Sequence, residues 1–357
     1  MDSPSNLRPA LLITIDTESD DLWAGKSELT FENIHHIPRL QEFFDSYGVR
    51  PTYLVSYPVA TSEIGRQVLK PIARDGHAEI GSHMHVWTTP PFVPVTPEDI
   101  QYCPLATEIP YELLARKMAN VTRVVGELSG TRPVSHRAGR FAIDQSGLRL
   151  LHELGYIVDT SVTPLVTWVQ PSYTGGQRGS DFRSAPFEPY YPSNDDMTRS
   201  GAGPILEVPV SIFLTRSLPP RISNWLARLP RNNNFVRALR WSGFVRHGWL
   251  SPGRQTNGWR LIGIARALIA LGVPMLNVMF HSSEMAPKTS PSTRTHADVD
   301  DSYRQLKILF DYLMREVNVR PLTLCEFTAS CPRTLPLYPP CRPWNEKAEP
   351  SACSRTR

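Results

Sequence analysis

Cysteine is scarce in this chain, and its spacing builds nothing. The five cysteines (Cys103, Cys325, Cys331, Cys341 and Cys353) are odd in number, form no C-x-x-C and do not neighbour the histidine motifs. That excludes a disulfide framework and points to free thiols in a reducing compartment. Long hydrophobic runs are missing too. No stretch of about 20 apolar residues occurs, so no helix of this chain is expected to span a bilayer. The N-terminal stretch MDSPSNLRPALLITIDTESD has no basic leader, and its apolar run extends only from Ala10 to Ile15 before Asp16. It does not read as a signal peptide, and a cytoplasmic protein is expected. Acidic residues are absent between Glu207 and Glu284. Internal repeats are absent throughout.

What is present is a globular composition in a chain of 357 residues, with hydrophobic residues at 41% and charged residues at 20%. That is enough apolar material for one large barrel-sized core. Short apolar runs alternate with helical patterns. ALLITID (10–16), RPTYLVS (50–56), HAEIGSH (77–83), PVSHR (133–137), YIVDTSV (156–162), ILEVPVS (205–211), PMLNVMFHS (274–282) and LTLCEF (322–327) read as strands. Between them, 31–49, 62–76, 111–130, 144–155 and 298–317 read as helices, the second interrupted at Pro71. About seven such units imply parallel βαβ connections in a barrel or an open sheet. Residues 331–357, rich in proline, read as a disordered or loosely docked tail.

Polar residues collect where the strands stop. Asp16 and Glu18 follow the first strand, and His83 and His85 follow the third. Arg137, Asp159 and His281 end later ones. In a parallel barrel all strand C-termini open on one face, where catalytic groups gather. His83 and His85 point to one side of an extended backbone, as do Asp16 and Glu18. Two imidazoles with one of these carboxylates make an open metal site. The second carboxylate can act as general base on water. His281 can serve as general acid, oriented by Asp159, and Arg137 can keep the base ionised. Together these groups describe metal-assisted hydrolysis. His35, His36, His77 and His152 lie in helices or at a strand start and are not expected to take part.

TIDTE, EIGSH, HRAGRF, YIVDTSVTP and FHSSE, in this order over residues 10–327, resemble the motifs of the polysaccharide deacetylase family (NodB homology, carbohydrate esterase family 4). The resemblance implies an α/β fold, a distorted (β/α)7 barrel over residues 1–330. It also implies hydrolysis of an N-acetyl group on an amino sugar. By that analogy Asp16 is the general base, His83 a metal ligand, Arg137 the tether of the base, Asp159 an orienting residue and His281 the general acid. Three departures mark a divergent branch. The family's adjacent aspartates are replaced, Thr17 following Asp16, so the carboxylate ligand is expected at Glu18, with Asp20 and Asp21 in reserve. The family's second histidine falls at Trp87, so His85 is the expected substitute. The third motif reads RAGRF, so Arg140 competes with Arg137. Trp87 and Arg140 are candidate substrate contacts. Zinc suits the donor set, and nickel or cobalt also fit.

Between Glu207 and Glu284 lie ten arginines, with Trp225, Trp241, Trp249 and Trp259 interleaved. A basic, aromatic-rich insert at about 212–260 is therefore expected. The basic region 212–266 suits an anionic membrane surface or a lipid-linked glycan at the inner face of the membrane. Nucleic acid is not the expected partner. Two rival readings stand beside the deacetylase. One is an amidase of the same fold acting on a small non-sugar amide. The other is a non-catalytic membrane- or glycan-binding barrel.

Overall fold

The structure, a computed structural model, describes residues 8–331 apart from 26, 27, 174, 215–246 and 255. Strand β1 (Ala10–Thr17) is buried along its whole length, as a near-continuous apolar run in a parallel sheet should be. It is followed by β2 (Thr52–Ser56), β3 (Glu79–Met84), β4 (Ser135–Ala138) and β5 (Val158–Asp159). A small hairpin pairs β6 (Gln170–Pro171) with β7 (Gln177–Arg178). Strand β8 (Leu206–Glu207) precedes a second hairpin, β9 (Ile212–Leu214) with β10 (His247–Trp249). The last two described strands are β11 (Met275–His281) and β12 (Arg320–Pro321).

The main sheet runs β11-β1-β2-β3-β4-β5-β8, with β12 added beside β1, and every pairing in it is parallel. Helices between the strands supply the crossovers, the longest among the described residues being Tyr111–Ser129 and His296–Tyr312. The sheet curls into a barrel with one irregular seam. Between β8 and β11 the ladder is replaced by residues 208–211. There Ser211 N donates to Asn277 O (3.2 Å), and Asn277 N donates to Ser211 Oγ (2.8 Å). This seam is the distortion expected of the barrel.

The interior is layered, and the layers follow the two-residue period of the strands. Ala10, Leu12, Val158, Leu206 and Met275 fill the lower layer with Leu324 and Phe327. One step up, Thr14, Asn277, Thr160 and Arg137 form a buried polar layer. Thr14 Oγ1 donates to Asn277 Oδ1 (2.8 Å), and Asn277 Nδ2 donates to Thr160 Oγ1 (2.9 Å). Above it stand Asp16 and His281, paired across β1 and β11. Leu11, Ile13 and Ile15 face outward into the larger core against the helices.

Three local expectations are corrected. LTLCEF is not a strand: Leu324–Ser330 is a helix that plugs the lower layer. Its T-x-x-E start is a capping box, Thr323 N donating to Glu326 Oε2 (3.0 Å) and Glu326 N to Thr323 Oγ1 (3.3 Å). Two satisfied end groups outweigh a short β-prone run, and burying Leu324 and Phe327 adds roughly 1.5–3 kcal/mol each. Pro71 does not interrupt the helix Glu63–Arg74. It lies exposed in the last turn, where its missing N–H costs one bond and the freed carbonyl can reach water. The strand expected at 205–211, β8, is shorter, because its chain leaves the β5 ladder after Val208 to close the seam.

Candidate active site

Four strand ends build the site. β1 delivers Asp16 and Glu18, β3 delivers His83 and His85, β4 delivers Arg137, and β11 delivers His281. All but His281 are almost completely buried.

Glu18, His83 and His85 converge. His85 Nε2 lies 2.9 Å from Glu18 Oε2, His83 Nε2 lies 3.0 Å from His85 Nε2, and His83 Nε2 lies 3.9 Å from the same Glu18 oxygen. His83 Nδ1 donates to Arg137 O (2.9 Å), which fixes the tautomer and leaves the Nε2 lone pair facing inward. Burial pushes the His83 imidazole down to about 4, so it is neutral. Burial opposes ionisation of Glu18, but the neighbouring imidazoles of His85, His83 and His281 and a hydrogen bond from His85 hold its carboxyl down at about 2.

Three lone-pair donors aimed at one point repel unless a proton or a metal cation sits between them. Bonds of about 2.0–2.1 Å to one ion separate its ligands by roughly 3 Å, close to the spacing of the two nearer pairs. The donor set therefore fits a divalent metal. One atom is less well provided: His85 Nδ1 is buried and has no hydrogen-bond partner among the described residues.

Asp16 stands beside this cluster in the grip of Arg137, whose Nη1 donates to Asp16 Oδ1 (2.7 Å). The rest of the guanidinium is spent on the polar layer. Nη2 reaches Thr14 Oγ1 (2.7 Å) and Thr160 Oγ1 (3.1 Å), and Nε reaches Thr160 O (2.9 Å). Arg137 is thus the arginine on the expected base, while Arg140 interacts with the buried Cys103. Across the site, His281 Nε2 lies 3.4 Å from Glu18 Oε1 and 3.8 Å from Asp16 Oδ2. Burial works against its protonation, but the bond and charge of Glu284, with Glu18 and Asp16, lift the imidazole to about 9.

Asp159 does not orient His281. The carboxylate at His281 Nδ1 is Glu284, at 3.3 Å. Neighbouring strand residues point to opposite faces, and Thr160 takes the inward position. Asp159 instead accepts from Ser161 N (3.0 Å) and Ser161 Oγ (2.9 Å) and stands opposite Glu207 in the β5–β8 ladder. Burial pushes both carboxyls up, that of Glu207 well above the usual range. Such a pair holds one proton between them. Glu284 is the residue that sequence reasoning passed over. Its signal was its place three residues after His281, where it also accepts from His281 N (2.9 Å).

The reserve carboxylates are accounted for. Asp20 accepts from Glu32 N (2.8 Å), Asn33 N (2.9 Å) and Asn33 Nδ2 (2.6 Å), so it anchors the next segment of chain. Asp21 takes a left-handed backbone (φ 44°) and its N–H donates to Thr289 O (2.6 Å). Trp87 packs its ring on His85, centroids 4.5 Å apart. Phe141, Trp168 and Trp249 form an aromatic wall, Phe141 stacking on Trp168 at 5.1 Å and meeting Trp249 at 5.7 Å. Gly139 is required where it stands, because a Cβ there would lie 2.4 Å from His85 Nδ1. Most of the expected arginine-rich insert lies outside the described residues, as does the tail beyond Cys331.

No family model matches the chain, and no curated protein matches it in sequence. Solved structures do match. One, from Mycobacterium smegmatis and assigned as a polysaccharide deacetylase, is 14% identical with a TM-score of 0.52; the match covers 95% of this chain and 97% of that one. Another, assigned as a glycoside hydrolase/deacetylase from Parabacteroides distasonis, is 14% identical with a TM-score of 0.56; the match covers 92% of this chain and 72% of that one. At these identities the likeness defines the fold. The chain has the distorted (β/α)7 barrel fold of structures assigned to polysaccharide deacetylases.

Proposed function

We propose that this protein is a metal-dependent hydrolase that removes N-acetyl groups from an amino sugar in a glycan. The observation that carries the reading is the convergence of Glu18, His83 and His85 on one point, with Asp16 and His281 clustered beside Glu18. Glu18, His83 and His85 would hold the ion, and zinc suits their mixed oxygen and nitrogen donors, with nickel or cobalt as alternatives. Bound there, a divalent ion supplies Lewis-acid polarisation of the amide carbonyl and of water.

The chain's own residues do the proton work. Arg137 occupies Asp16 Oδ1, which leaves Oδ2 on the His281 side to take a proton from the attacking water. The water oxygen bonds to the acyl carbon, and the carbon–nitrogen bond breaks. His281, held protonated by Glu284, gives its proton to the leaving nitrogen. Acetate and a free amine result. Trp87 and the Phe141–Trp168–Trp249 wall offer apolar surfaces for the sugar.

Acetate release from acetylated glucosamine oligomers tests the reading. The wild-type chain loaded with zinc should turn over. Asp16→Asn should lose about 10²- to 10⁴-fold, the range supplied by a general base, while keeping its metal. Loss of metal from Asp16→Asn would make Asp16 a ligand and remove it as the base. Turnover of simple amides with none of acetylated sugars would move the reading to an amidase of the same fold.

A lipid-linked substrate belongs to the same reading. The arginine-rich residues 215–246 leave and rejoin the described fold at one place, because Leu214 pairs with His247. That place adjoins the strand carrying His281, with Met279 N donating to Leu250 O (3.3 Å). Co-sedimentation with anionic vesicles at low salt is expected. A chain that stays in the supernatant at every vesicle concentration would separate the lipid surface from the hydrolase.

A further inference from the structure

Lys117 lies near the middle of the helix Tyr111–Ser129, and 1% of its surface is exposed. Among the described residues it makes no ion pair. All three donors of its ammonium go instead to one loop: Nζ donates to Val86 O (2.8 Å), Thr89 O (2.6 Å) and Pro91 O (2.9 Å). Asn120, one turn on, adds a bond from Nδ2 to Pro90 O (2.9 Å). The loop therefore closes around a buried cation, and it begins one residue after His85. A buried amine without a carboxylate partner is costly to keep, and burial pushes this one down to about 8. The expense needs an explanation, and the loop it holds supplies one.

The three site histidines are not fixed in the same way. His83 Nδ1 is tied to Arg137 O, and His281 Nδ1 is tied to Glu284. His85 has no such tie. Its polar contacts are all at Nε2, with Glu18 and His83; on the Nδ1 side the ring is held by shape, with the Gly139 backbone on one side and the Trp87 ring at 4.5 Å. Trp87 stands between Val86 and Thr89, the first two carbonyls that Lys117 grips.

We propose that Lys117 is a positioning residue: by locking residues 86–91 it makes Trp87 hold the His85 ring with Nε2 toward Glu18 and His83. Lys117 thus does for His85 what a hydrogen-bonded partner does for His83. The inference rests on the metal-site reading given above.

The test compares the full chain with Lys117→Met, Lys117→Arg and Thr122→Val. Thr122 lies on the same helix and bonds Met118 O (2.7 Å) and Tyr156 OH (2.8 Å), away from the loop. Two quantities are read: Zn²⁺ affinity by competition with a chelator, and hydrogen–deuterium exchange in the peptide 84–92. Lys117→Met should weaken Zn²⁺ by about 10- to 100-fold, the usual effect of losing an outer partner of a ligand, and should speed exchange in that peptide. Thr122→Val should change neither. If Lys117→Met does not fold, Lys117→Arg carries the test. It keeps the charge, but a flat guanidinium cannot direct three N–H groups from one nitrogen, so the same two changes are expected. Wild-type Zn²⁺ affinity and wild-type exchange in either folded variant would overturn the proposal. If the wild-type chain itself takes no Zn²⁺, the metal reading fails, and exchange alone decides Lys117: faster exchange upholds the clamp, unchanged exchange removes it.

Discussion

Arg137→Met is expected to lose about 3–5 kcal/mol of stability. The side chain is fully buried and donates to Asp16, Thr14 and Thr160. Removing it leaves the buried Asp16 carboxylate with the more distant His281, at 3.8 Å, as its remaining counter-charge, and two hydroxyl partners with one bond fewer. Urea denaturation measures the loss. The double substitution Arg137→Met with Asp16→Asn separates the two causes. If the under-compensated carboxylate dominates, neutralising it should recover part of the stability lost in the single variant. If the double variant is less stable by the full sum of the two singles, the pair is not coupled and the lost packing of Arg137 accounts for the effect. The same cycle bears on chemistry, because the arginine that stabilises the barrel also orients the expected base.

Glu18→Gln is expected to abolish stoichiometric metal binding, weakening affinity by more than about 100-fold, since even outer-shell losses cost 10- to 100-fold. The substitution keeps the shape of the side chain. It removes the one anion among three donors, and the amide cannot offer two acceptor oxygens at Oε1 and Oε2. Asp20→Asn is the informative comparison. Asp20 accepts three hydrogen bonds from Glu32 and Asn33, so its loss should lower stability and leave metal content at that of the wild type. Elemental analysis of both variants beside the wild type decides the matter. Metal lost from Asp20→Asn and retained by Glu18→Gln would reverse the assignment and move the ligand role two residues along the chain.

Much of the site was legible because strands impose a two-residue period. Thr14, Asp16 and Glu18 had to share one face of β1, and His83 and His85 one side of the chain after β3. The motifs carrying them stand at strand ends, where a parallel barrel exposes its side chains to a common mouth. The arginine was legible only as a choice between Arg137 and Arg140. In the fold, Arg137 projects inward from β4, whereas Arg140 sits past the strand end in a left-handed conformation (φ 54°) and interacts with Cys103.

The misses share one cause, which is that distance along the chain says little about partners across it. Asp159 looked like the orienting acid because it ends a strand, but strand parity turns it toward Glu207 and away from His281. Glu284, three residues from His281, takes the place at Nδ1 because the turn after β11 brings it back. Lys117 carried no signal at all. A lysine in an amphipathic helix reads as a solvated charge, and only packing against the loop after β3 reveals that its three donors are consumed by carbonyls. The sequence by itself determined the alternation of strands and helices and the residue types at the strand ends, because both follow from local periodicity. Tertiary structure decided which carboxylate meets which histidine, where the barrel seam opens and what holds His85, because those depend on groups that only the closed sheet brings together.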